Sequence, residues 1–191
     1  MLRKLMTVLM FIATPLAFAG SLDLSVNNNA AELQFDTSAV GNSKGNSDIH
    51  VGVLYNSSSM NILADAGLLV KGEGDTGFII ALGAKALAGE IKNYEPGTTL
   101  NVTALAIGGE VKYVFPAARQ LSAALYYFGA PQIVTFGDAN RADQWGVNLD
   151  YEVAHETKIY VEYRESDFGV KSTGETATLD NGAYVGVRLA F

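Results

Sequence analysis

From Asp48 to the C-terminus, apolar and polar residues alternate with a period of two, in segments separated by clusters of Gly, Pro, Asn, Asp and Ser. Ile49, Val51, Val53 and Tyr55 share one face of the first segment, and Ile62, Ala64, Ala66, Leu68 and Val70 one face of the second. Phe78, Ile80, Leu82, Ala84 and Ala86 follow, then Leu105, Ile107, Gly109, Val111, Tyr113 and Phe115, then Leu121, Ala123, Leu125 and Tyr127. The sharpest segment sets Trp145, Val147, Leu149, Tyr151 and Val153 against Gln144, Gly146, Asn148, Asp150 and Glu152. Ile159, Val161 and Tyr163, and the terminal face of Ala183, Val185, Val187, Leu189 and Phe191, complete a set of eight strands. Most approach the roughly 9–11 residues that a tilted strand needs to cross hydrocarbon.

Residues Gly20 to Ser47 are less regular. Leu22, Leu24 and Val26 alternate, Asn27 to Asn29 form a turn cluster, and Ala31, Leu33 and Phe35 alternate again. This stretch is either an extra N-terminal hairpin or a periplasmic or luminal segment. The hairpin is preferred, because pairing satisfies its backbone groups in lipid, and it raises the expected strand number from eight to ten. Counted back from Phe191, the connections alternate in length, with Phe168–Asn181 and Ala130–Arg141 long and Ala154–Thr157 and Pro116–Arg119 short. Short inner turns and long outer loops would place Phe191 at the periplasmic rim.

The first 19 residues change the picture from a sheet to an exported sheet. Arg3 and Lys4 precede the apolar stretch Leu5–Leu16, and Ala17-Phe18-Ala19 is a small-x-small cleavage site, so residues 1–19 read as a cleaved signal peptide. Its removal leaves a single domain over 20–191 and takes the net charge from −7 to −9, since those two bases are its only charges. Cysteine is absent, which excludes disulfides and thiolate chemistry, and the acidity disfavours nucleic acid.

A soluble sandwich alternates too. Small residues on the polar faces, among them Ala81, Gly83, Ala104, Ala106, Gly108, Gly146 and Gly186, suit a narrow lumen better. Tyr113, Phe115, Tyr151 and Tyr163 toward the inner end and Trp145 at the outer end form the expected interfacial girdles. The fold expected is all-β, a closed antiparallel up-and-down transmembrane β-barrel of eight to ten strands.

Of the candidate chemistries, Gly72-Glu73-Gly74-Asp75-Thr76-Gly77 has dinucleotide-fingerprint spacing, but its acidic residues would repel a pyrophosphate and the next segment alternates as a strand, so it reads as a tight turn. His50 and His155 are both placed near the inner rim, away from Ser57–Ser59, and two histidines do not make a metal site. No catalytic residue, cofactor or metal is expected. Inward-facing Glu110, Asp150, Glu162 and Arg188 fall at similar heights, with Lys112 and Arg164 adjacent and Lys85 higher. They read as a luminal salt-bridge layer; the alternative is the lining of a narrow, weakly cation-preferring pore. Lys92, Glu95, Asp138, Arg141, Asp143, Lys171, Glu175 and Asp180 are expected on outer loops, where they could meet lipopolysaccharide.

The leader, the opening Ser21–Ala31, the Phe136-Gly137-Asp138-Ala139 loop and the ending Tyr184–Phe191 resemble the YfaZ family of predicted Gram-negative outer-membrane proteins, over nearly all of the mature chain. The resemblance implies residence in the outer membrane among its lipids. It also implies insertion by the barrel-assembly machinery through the terminal strand carrying Val185, Val187, Leu189 and Phe191. It brings no catalytic residues. The function expected is a non-enzymatic structural or envelope role, a pore being the alternative and a lipid-modifying or proteolytic barrel enzyme the third reading.

Overall fold

Alternating strands need partners on both edges, and in the computed structural model they find them in a ring. The structure describes residues 20–42, 45–74, 76–92, 94 and 97–191, so the expected leader lies outside the described residues. The strands are β1 (Gly20–Val26), β2 (Ala30–Asn42), β3 (Gly45–Asn56), β4 (Asn61–Glu73), β5 (Phe78–Lys92), β6 (Thr99–Val114), β7 (Leu121–Ala130), β8 (Thr135–Gly137), β9 (Ala139–Ala154), β10 (Thr157–Val170) and β11 (Thr176–Ala190). Each pairs antiparallel with the next from β1 to β7, β7 pairs with β9, and β11 returns to β1. Ten strands therefore close the barrel, and β8 is a short addition on the far end of β6.

The less regular N-terminal stretch is a true hairpin. Leu22 faces Phe35 and Leu24 faces Leu33 across β1 and β2, and Asp23 stands opposite Arg188 on β11. Gly20 and Phe191 exchange both backbone hydrogen bonds, at 2.8 and 2.9 Å, so the two ends of the described chain meet at one rim. Phe191 lies beside Phe35 there, with ring centroids 6.4 Å apart.

Two expected long loops are largely strand. β10 runs to Val170 and β11 starts at Thr176, so only residues 171–175 join them, and Ala130–Arg141 holds a 3-10 turn at Gln132–Val134, β8 and the start of β9. The cause is a reversal of polarity within single strands. Along β6, Thr99, Asn101 and Thr103 point outward while Leu100, Val102, Ala104 and Ala106 are buried inside; past Leu105 the outward residues are Ile107, Val111 and Tyr113, and the inward ones include Glu110 and Lys112. β10 does the same, with Ile159, Val161 and Tyr163 outward of a charged interior, then Glu165 and Asp167 outward of Phe168 and Val170. In β6 and β10 the parity of the strand does not change; only the solvent on each side does.

The barrel thus has two storeys. At the end carrying Gly20 and Phe191, an apolar belt surrounds a polar lumen. On β9 the belt runs from Trp145 to Val153, which at about 3.3 Å per residue and a tilt of about 40° gives roughly 20 Å of apolar height. At the other end a polar-walled collar surrounds an apolar core of Leu54, Leu63, Leu87, Phe128, Phe168 and Leu179. β1 to β4 stop low at this end, and β11 leans over them: Asn61 donates to the Leu179 carbonyl at 2.9 Å and Asn56 reaches Asp180 at 3.4 Å.

The aromatic rows mark the belt's edges, with one correction. Tyr113 packs between Phe78 and Phe115, with centroids 4.6 and 5.1 Å away, and together with Tyr151 they sit at the rim of the chain ends. Tyr163 does not join them. Its ring lies 5.6 Å from Trp145, so it belongs to the row at the collar edge, because β10 continues well beyond it.

Candidate functional site: the luminal vestibule

Inward-facing side chains of the belt storey enclose a cavity of about 450 Å³ that reaches from Ser21, Asp48 and Lys71 at the rim of the chain ends to Leu54 and Phe128 beneath the apolar core. Room for it comes from glycines on the lumen wall. Tyr126 lies over Gly146, where a Cβ would come within 2.6 Å of the phenol oxygen, and Tyr160 lies over Gly186 in the same way.

The charges form three networks rather than one layer, because strand tilt makes equal counts from the rim unequal heights. In the first, Asp150 takes Lys112 at 2.6 Å and Arg188 at 3.5 Å, while Arg188 Nε donates to Asp23 at 2.7 Å and the Tyr160 hydroxyl donates to Asp23 as well. In the second, His50 stands between Asp36, 2.8 Å from Nδ1, and Asp65, 2.7 Å from Nε2. Lys85 closes on Asp65 at 3.8 Å and lies over the Phe128 ring at 4.8 Å, and Lys71 pairs with Asp48.

Arg164 organises the third network. Its guanidinium pairs with Glu32, with Glu162 at 3.7 Å and with Asp180 at 3.2 Å, and it stacks 3.6 Å from the Tyr184 ring centroid. Tyr126 donates to Glu162 at 2.9 Å and Tyr184 to Asp180 at 2.7 Å. Three carboxylates around one cation, only 3 % exposed, are kept in place by these extra donors, without which their desolvation would outweigh the attraction.

The expected luminal residues Lys85, Glu110, Lys112, Asp150, Glu162, Arg164 and Arg188 all point into this lumen, divided among the networks except for Glu110, which lines the cavity alone. Two placements, those of His50 and Asp180, differ from expectation. His50 is buried between two carboxylates rather than solvated at the rim, whereas His155 is exposed beside Glu156. Asp180 is no loop charge: the bulge in β11 turns it inward onto Arg164. Asp75 and Glu95 lie outside the described residues; Gly77, with φ of 83°, begins the turn into β5.

Asp23, Glu32, Asp36, Asp48, Asp65 and Lys71 were not foreseen as luminal partners. Their signal was present, since Asp23 falls between Leu22 and Leu24, and Glu32 and Asp36 flank the face of Leu33 and Phe35. Among the described residues no three His, Cys, Asp or Glu groups are arranged to hold a metal.

A closed ten-stranded antiparallel barrel with lipid-facing apolar walls and a charged interior at the same depth is a membrane β-barrel of the outer-membrane type. The chain belongs to the YfaZ family, whose model, described as YfaZ precursor, matches residues 3–191. No curated protein matches it by sequence. Among solved structures it is similar to the KdgM porin, at 11% identity over 91% of this chain and 99% of that one, with a TM-score of 0.44. It is also similar to the NanC porin, at 12% identity over 92% and 100%, with a TM-score of 0.44. The translocator domain of autotransporter NalP from Neisseria meningitidis matches at 11% identity over 99% and 94%, with a TM-score of 0.38. These likenesses are of overall barrel shape.

Proposed function

We propose that the protein is a non-enzymatic, non-conducting barrel of the outer membrane, with a structural role in the envelope. It is exported by a signal peptide over residues 1–19, inserted by the barrel-assembly machinery through its terminal strand, and set with the rim of Gly20 and Phe191 toward the periplasm. The observation that carries this reading is the apolar core of Leu63, Leu87, Phe128, Phe168 and Leu179, which fills the lumen at the collar. A hydrated path would have to cross that layer, and an apolar constriction of buried side chains opposes wetting. The lumen charges then serve as a staple between distant strands, with Arg164 of β10 held by Glu32 of β2.

Against the enzyme reading, among the described residues His50 lies between Asp36 and Asp65, away from Ser57–Ser59 in the turn at the collar end. The outward polar residues of the collar, including Arg141 and Lys171, would meet lipopolysaccharide. Planar-bilayer recording tests the closed lumen. Silence is the expected result; discrete current steps that change in Glu110→Gln would replace it with the narrow pore.

A further inference from the structure

The three networks do not use everything in the vestibule. Lys158 and Glu110 both line it, and among the described residues neither side chain makes a close ion pair or a hydrogen bond, Lys158 standing in the wider field of Lys112, Arg188, Asp150 and Glu152. Deeper in, three buried polar atoms have no partner: Gln144 Oε1, Asn148 Oδ1 and Arg164 Nη2. Their residues are 8 %, 8 % and 3 % exposed and all three line the same cavity. An unmet buried polar group costs about 1–3 kcal/mol, so these three atoms, with the half-buried Lys158 and Glu110 beside them, indicate what that space can receive.

The set is mixed in a particular way. It offers one cation and one anion outside the close ion pairs, with two carbonyl acceptors and one guanidinium donor besides. A neutral sugar would hydrogen-bond these groups but neutralise neither charge; a polyanion would meet Asp36, Asp48 and Glu110 on the walls. A molecule with an ammonium at one end, a carboxylate at the other and amides between answers all five. A volume of about 450 Å³ falls within the range of small-ligand sites, roughly 300–1,000 Å³.

We propose that the vestibule binds a small zwitterion of the short-peptide class, with Lys158 taking its carboxylate, Glu110 its ammonium, and Arg164, Gln144 and Asn148 its amide groups. This rests on the periplasmic orientation for its source of ligand, and on the closed lumen only for its blind end.

Isothermal titration of the full barrel in non-ionic micelles with triglycine is the test, with the N-acetylated, C-amidated peptide and maltose as comparators. Saturable binding of triglycine is expected, weakened at least tenfold for the blocked peptide and in each of Lys158→Gln and Glu110→Gln. Tenfold corresponds to about 1.4 kcal/mol. Both side chains are unpaired, so both variants should fold; heat-modifiable gel migration checks this. No saturable heat at millimolar triglycine overturns the proposal, as does equal affinity for the blocked peptide, stronger binding of maltose, or full affinity in both variants. Current steps in a bilayer would remove the closed-lumen reading and leave this binding standing, so the two fail separately.

Discussion

The belt and the collar are built from the same strands, yet they solve opposite problems. In the belt, Val161 faces lipid and Glu162 faces the lumen; six residues along β10, Asp167 faces water and Phe168 faces a core. The collar is an ordinary soluble barrel, held by apolar burial. The belt has no such force available across its wall, since lipid is as apolar as its side chains, and must be held by interior polar contacts. If this division is correct, substitutions of the same kind should have different consequences in the two storeys.

The largest effect is expected where the belt's interior depends on one group. Arg164→Met leaves Glu32, Glu162 and Asp180 buried without their cation and should cost about 3–5 kcal/mol. Urea unfolding from phospholipid vesicles, followed by fluorescence, reads it. A loss below about 1 kcal/mol would mean that water in the vestibule already hydrates these carboxylates, and the belt would then be no drier inside than a pore.

In the collar the corresponding loss is a cavity. Leu87→Ala removes a 2 % exposed side chain from the core and should cost about 3 kcal/mol. If the collar is instead loosely packed, the same change would cost little and would raise conductance in bilayers.

A charge placed on the outer wall separates the storeys most directly. Val161→Arg puts a guanidinium into the middle of the belt and should cost about 2–4 kcal/mol. Thr103→Arg makes the same change on the collar, in water, and should fall within about 0.5 kcal/mol of wild type. Equal effects at both positions would erase the boundary between them.

That boundary also explains what the sequence did and did not disclose. Alternation with the apolar face outward is a reliable sign of a lipid-facing strand, and it located every belt segment from Ile49 to Phe191. It stops at Tyr163, where the strand does not, because Glu165 and Asp167 exchange roles with Phe168 and Val170. Tracking only the apolar face makes residues 168–181 a loop. A reading that asks whether alternation continues with its polarity reversed finds Phe168, Ala177 and Leu179, and with them the apolar core of the collar. The luminal charges were legible as inward positions, but their pairing was not, since Arg164 and Glu32 are far apart in sequence and are joined by the closure of β11 on β1.

The finest prediction concerns the boundary row itself. Tyr127 and Tyr163 point their hydroxyls toward the collar, donating to Asp143 at 2.6 Å and Asn181 at 2.8 Å, while the Tyr163 ring stays against Trp145. That arrangement puts rings in lipid and hydroxyls among headgroups, so Tyr163→Phe should lose about 0.5 kcal/mol, the net worth of one half-exposed hydrogen bond. Tyr151→Phe, at the opposite edge of the belt and with no hydrogen-bond partner among the described residues, should change nothing measurable. Trp145 is the chain's only tryptophan, so its quenching by lipids brominated at different depths reports the level of this row without labelling. Strongest quenching is expected from bromines nearest the headgroups. Strongest quenching from bromines near the bilayer centre would move the belt upward by several residues, take Glu165 and Asp167 into hydrocarbon, and make the collar part of the membrane span.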